Sequence, residues 1–209
     1  MISISSDFHE KSNEAEVLLS HIRALSIESR GTVQEISILK SAFMLLLYNI
    51  IESTTTSILE RIHEKVSVVK YQDSSQKLRL LIVEYHFAKG NAKKYKAEID
   101  KITNGDTTLP LFDVFKKKVS LFSGNLDARE LNKLLTRYGI GALTHEDKDK
   151  LLIVKNKRNK IAHGEEMFKE SCRSFTANEL DEICKAVLAT LNQLIELTRD
   201  FFLHKKYLA

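Results

Sequence analysis

Thr32 with Glu35, Asp127 with Glu130, Thr144 with Asp147, and Thr176 with Glu179 each pair a threonine or aspartate with a carboxylate three residues later. That spacing lets the first side chain accept from the backbone of the helix it opens while the carboxylate reaches back, so each is a helix start. Behind Thr32 the pattern predicts a long helix to about Lys70, and behind Asp127 a short one ending at Tyr138. Behind Thr176, Leu180, Ile183, Val187, Leu191, Leu194 and Ile195 recur every three or four residues, the mark of a helix with one apolar face. An earlier helix carries Leu18, Ile22 and Leu25 on one face, and another follows Asp73 with Leu78, Leu81, Ile82 and Tyr85. A single proline and seven glycines leave few breaks for the many turns a β fold requires. The expected fold class is all-α, an antiparallel helical bundle.

At 209 residues the chain is long enough for one substantial core, read as a single domain over 1–209. Between about 103 and 143 the pattern changes. Asn104-Gly105-Asp106, Pro110, Gly124-Asn125 and Gly139-Ile140-Gly141 punctuate it, which reads as a small irregular insertion attached to the bundle. A formal charge of +4 is only mildly basic, but Lys93 to Lys96, Lys116 to Lys118, Lys155 to Lys160 and His204 to Tyr207 are clustered. Each cluster alone fits a solvated helix face, and near a site each would also attract a polyanion. Cys172 and Cys184 match no metal or redox spacing and suit a reducing cytoplasm. Asp7, His9, Glu10 and Lys11 interrupt any secretory apolar run at the start. The stretch Ala42 to Tyr48 is apolar all round but far shorter than the roughly 20 residues of a membrane span, so it reads as a core helix or a dimer seam.

The chemistry concentrates in Lys155-Asn156-Lys157-Arg158-Asn159-Lys160-Ile161-Ala162-His163-Gly164. At roughly 100° per residue, Leu151, Val154, Ile161 and Ala162 make one stripe with Arg158 in its middle and His163 at its edge. A guanidinium on an apolar stripe needs an acceptor. His163 alone would suit a helix C-terminus, where Gly164 supplies a left-handed cap and the end dipole favours a cation. Held together, an always-charged group and one that titrates near neutrality suit phosphate chemistry. On the long helix, Tyr48, Asn49 and Glu52 share a face directly after the apolar run. Glu52 is placed either to meet and orient Arg158 or to close a structural polar cluster, and both can hold together. No His-x3-His or His-Glu-x-x-His spacing, no glycine-rich phosphate loop and no nucleophile elbow occurs, so no metal or other cofactor is called for.

Arg158-Asn159, followed by Ala162-His163-Gly164, resembles the Arg-Asn-x-x-x-His signature of the HEPN superfamily. Leu39 to Glu52 is similar to the early helix of standalone bacterial HEPN toxin-like proteins, whose polar residues face that signature. The resemblance implies a metal-independent endoribonuclease that works as a homodimer, with two Arg158 and two His163 in one cleft. Its single-stranded RNA substrate would be cut by attack of the ribose 2′-OH, leaving a 2′,3′-cyclic phosphate and a 5′-OH. Arg158 would stabilise the phosphorane and His163 would transfer protons. Asn159, Asn49, Glu52 and Tyr48 would support them, with Lys157 and Lys160 contacting RNA. Asn159 is placed to hold phosphate or to orient His163. A toxin or antiviral-defence role follows from the same resemblance, with an antitoxin or defence-system protein as partner and no membrane. The alternative is a non-catalytic RNA-binding or protein-adaptor module of the same fold. Some HEPN toxins are silenced by modification of a tyrosine two residues after the signature histidine. Here Gly164 and Glu165 follow His163, so that route is not implied.

Overall fold

The computed structural model describes residues 2–27, 32–88, 92–105, 107–122, 124–144 and 148–209. Among them are nine α-helices and no strand. The fold is all-α. Two long helices, α1 (Ile2–Ile27) and α2 (Val33–Val66), pack with the last, α9 (Ala177–Leu203), and with α7 (Lys148–Ala162), which carries the signature. Lys11 of α1 donates to the Ser53 hydroxyl of α2 at 2.9 Å, and Ile4 and Asp7 share a cleft with Glu60 and Glu64, so α1 and α2 run antiparallel.

Local sequence sets the helix ends. Thr32 and Thr176 each form a complete capping box, with Glu35 and Glu179 donated to by the cap backbone at 2.7 Å. At Asp127 one carboxylate oxygen accepts from the N–H groups of Arg129 and Glu130, both at 3.0 Å, opening α6 (Ala128–Tyr138). There the reciprocal half is missing, because Glu130 pairs with Lys133 instead. The Thr144–Asp147 start lies outside the described residues. The long helix ends at Val66, four residues earlier than expected, and a 3-10 turn at Tyr71–Asp73 leads into α3 (Gln76–Phe87). A further helix, α4 (Ala92–Thr103), was not anticipated.

Burial corrects two sequence readings. On α1 the core face is Ile4, Phe8, Ala15, Leu19 and Ile22, while Leu18 and Leu25 sit at its margin. On α7 the buried stripe is Leu151 and Val154 only: Arg158 and Ile161 are half-buried and Ala162 is exposed. The stripe therefore runs out of the core at the arginine, which is why a charge can sit there.

α2 is long and apolar enough to match a membrane span by length and hydropathy, although its fully apolar run is short. α1, α7, α8 (Phe168–Ser171) and α9 pack around it, burying Phe43, Met44, Leu47, Tyr48, Ile50 and Ile51, the pattern of a bundle's central helix. The segment 103–143 contributes Leu109, Phe112, Phe115, Val119, Leu126, Leu131 and Tyr138 to that same core, with short helix α5 (Phe112–Phe115) against α2. His63, fully buried on α2, fastens this segment. Its Nδ1 lies 2.7 Å from the Pro110 carbonyl and its Nε2 2.7 Å from the Tyr138 hydroxyl. A carbonyl only accepts, so Nδ1 carries the proton and Nε2 accepts from Tyr138.

Candidate functional site

Helix α7 ends in a Schellman motif. The Glu165 N–H donates to the Lys160 carbonyl at 2.9 Å, and the Gly164 N–H to Ile161 at 3.2 Å, with Gly164 at φ +70°. This turn puts His163 directly after the last helical residue, its own N–H still bonded to the Asn159 carbonyl at 2.9 Å. The imidazole is exposed and has no side-chain partner among the described residues. Among the described residues no side chain fixes its tautomer.

Arg158, by contrast, is held on several sides. Its guanidinium lies over the Tyr48 ring, 4.3 Å from the centroid, a cation–π contact. Nη1 donates to the Asn159 Oδ1 at 2.8 Å, and Nη2 stands 3.9 Å from a Glu52 oxygen. With 26 % of its side chain exposed and five N–H donors available, it keeps several for an outside oxyanion. The Asn159 amide in turn donates to Asn125 Oδ1 at 2.6 Å. Asn159 therefore orients the arginine, and touches His163 only through its backbone.

Tyr48 is buried. Its hydroxyl donates to the Gly124 carbonyl and accepts from the Leu126 N–H at 3.2 Å. Burial pushes the phenol's pKa up, so it stays protonated and committed to these bonds. Tyr48 is thus a platform for Arg158 and an anchor for the 124–126 turn. Gly124 sits at φ +68°, and a Cβ there would lie 3.1 Å from Arg158 Nη2, so the turn needs a glycine on both counts.

The other sequence candidates divide. Glu52 is where it was placed, as a loose and half-exposed neighbour of Arg158. Asn49 is on the same side of α2 but exposed, with no partner among the described residues, so it does not bond into the arginine's surroundings. Lys157 and Lys160 are not open cations. The Schellman turn sends the chain back along α7, so Glu166 receives Lys157 at 2.8 Å and Lys160 at 2.7 Å, with the Ser171 hydroxyl at 2.7 Å. Hydrogen bonds from Lys157, then Lys160 and Ser171, hold the Glu166 carboxyl down to about 2.

Sequence reasoning missed Glu166, Asn125 and the second role of Asp127. Burial pushes the Asp127 carboxyl up, but Lys155 at 2.7 Å and the α6 N–H groups outweigh it and keep it below its ordinary value. One carboxylate thus caps α6 and ties it to α7. Gly124-Asn125 had shown itself only as a turn. Among the described residues no three His, Cys, Asp or Glu side chains gather as a metal site. Two histidines lie close to carboxylates on other elements, His86 with Glu98 and His204 with Asp200.

A family model described as HEPN_MAE_28990-like HEPN matches residues 2–207. No curated protein and no solved structure matches the chain.

Proposed function

The chain belongs to the HEPN_MAE_28990-like HEPN family, whose domain type points to ribonuclease-type or nucleotide-related function, and on that premise we propose that it is a metal-independent endoribonuclease. The observation that carries this reading is the contrast at the end of α7. Arg158 is pre-set by Tyr48, Asn159 and Glu52 with donors to spare, and an exposed histidine with no side-chain partner among the described residues stands five residues on. Fixed positive charge for a phosphorane and a free proton carrier are what transesterification of single-stranded RNA requires. The 2′-OH attacks the adjacent phosphorus, the 5′-oxygen leaves with a proton, and a 2′,3′-cyclic phosphate results. The cellular role proposed with it is a cytoplasmic toxin or defence effector, restrained by an antitoxin or defence-system partner.

Incubation with labelled single-stranded RNA in EDTA tests the chemistry. Cleavage should persist, leave cyclic phosphate ends, and stop when deoxyribose replaces ribose at the cut. Activity that vanishes with chelator and returns with Mg²⁺ would sink the mechanism.

The one imidazole of each signature is too few to serve as independent acid and base, so the working unit proposed is a homodimer with two signatures in one cleft. Along α2, Ile38, Ala42, Leu45 and Asn49 form an exposed or half-buried line that leads to Glu52, a seam suited to a second copy. Sedimentation at micromolar concentration should give twice 23.9 kDa. A fully active monomer would contradict the shared cleft.

Glu166 bears on RNA affinity. Neutralising it in Glu166→Gln leaves two lysines beside the site without their counter-charge. RNA binding should tighten several-fold at low salt, and the logarithmic salt dependence should steepen by about one unit for the charge removed. Unchanged affinity and slope would show that Lys157 and Lys160 stand outside the RNA path.

A further inference from the structure

Beside Arg158 lies an open cleft of about 670 Å³, floored by α7 and walled by α6 and by residues 120–122 with Asn125 and Asp127. Its volume is in the roughly 300–1,000 Å³ range of small-ligand sites. Four features of its lining point to a ligand. Asn125 and Asn159, whose bonded amides reach Arg158, form the rim nearest the signature. Asn156, one turn before Lys160, is exposed, and its amide has no partner among the described residues. Arg129 is exposed at the start of α6, and its guanidinium is likewise unpartnered. Phe122 shows part of a ring, its other side packed on the core. The lining therefore combines an amide donor and acceptor, an aromatic face and an unspent cation around one concavity.

Those are the three means by which proteins hold an unpaired nucleotide: stacking, edge hydrogen bonds and charge on the backbone. We infer that this cleft is a nucleotide subsite, seating the base next to the cleaved bond so that Phe122 stacks on it and Asn156 reads its edge. Arg129 takes the flanking phosphate. The inference rests on the ribonuclease reading for the position of the cut, but not for the binding itself. It gives Phe122 and Asn156 the task of choosing sequence, while the end of α7 does the chemistry. Because Asn159 faces both, a seated base and a correctly aimed Arg158 are mechanically linked.

Full-length protein titrated with single-stranded 2′-O-methyl oligonucleotides of A, C or U tests this, since they bind without being cut. Wild type should prefer one base over the weakest by about tenfold or more, the weight of one stacking and hydrogen-bonding contact. Asn156→Ala, on an exposed helix position, and Phe122→Leu, which keeps the apolar packing, should each compress that spread to about threefold or less. Arg129→Ala should weaken all three alike and reduce the salt slope by about one unit. Melting of each variant checks the fold, and end-mapping of products from unmodified RNA should show the same flattening. A wild type without base preference, or variants that keep it, would overturn the subsite. Preference that disappears in the variants of a protein that never cuts RNA would keep the subsite and remove the ribonuclease. Cleavage with a preference indifferent to both substitutions would do the reverse.

Discussion

His163→Ala should cleave RNA about 10²–10⁴ times more slowly than wild type, the usual weight of a positioned acid–base group. Its melting temperature should stay within about a degree, because an exposed, unpartnered ring at a helix end holds nothing together. Arg158→Ala should lose about 10²–10³ in rate through the missing charge on the phosphorane. The sequence placed Glu52 directly after an apolar run, as a partner for Arg158. The carboxylate is in fact half-exposed and 3.9 Å away, so the pair itself contributes little, about 0–1 kcal/mol. The stability cost should come instead from the contact with Tyr48, of the order of 1 kcal/mol. Glu52→Gln should accordingly keep the fold and most of the activity. RNA cleavage and thermal melting on the three variants check these expectations together. A folded, active His163→Ala would remove the catalytic claim and leave an RNA-binding or adaptor module.

His63→Ala should be the most destabilising single change outside the site. It opens a cavity at a fully buried position and leaves the Pro110 carbonyl and the Tyr138 hydroxyl without a partner, at about 3–5 kcal/mol together. For a chain of this size that lowers the melting temperature by roughly 10 °C. The same residue predicts a pH dependence. Burial lowers the imidazole pKa to about 4, against the Pro110 hydrogen bond, which works the other way. An unfolded imidazole takes up its proton near pH 6.5, so between those values the unfolded chain binds more protons than the folded one. The stability owed to neutral His63 is therefore complete above about pH 6.5 and drains away as pH falls toward 4, by about 3 kcal/mol in all. Urea unfolding from pH 7.5 to 4.5 should show that fall in wild type and a shallower one in the variant. Parallel curves would show that His63 is not the group responsible.

What was legible in the sequence was what neighbours along the chain decide. The boxes at Thr32 and Thr176, the glycine cap after His163 and the apolar face of α9 are each closed within a few residues, and they appear as read. The stripe on α7 was overextended because periodicity cannot tell where a helix leaves the core, and Ala162 turned out exposed. Lys157 and Lys160 were read as open cations because their partner arrives only after the turn at Gly164 doubles the chain back. Tyr48 and Gly124 are 76 residues apart, and no pattern links them. His63 was passed over for the same reason, since its two partners come from opposite ends of one irregular segment. The lysines, asparagines and glycines of the site were visible as types. Their pairings were not, because tertiary packing chose them.

Tyr48 carries the arginine and pins the turn beside it, and this orders events during synthesis. The tyrosine emerges from the ribosome early, while its partner in the cation–π contact is made roughly 110 residues later. At about 5–20 residues per second that is a delay of roughly 5–20 s. Through that interval the growing chain holds the platform, and can close the 124–126 turn on it, before the charge is made. The arginine's working posture is thus reached only after residue 158 has been made, and a translating ribosome, itself built of RNA, is not presented with it before then.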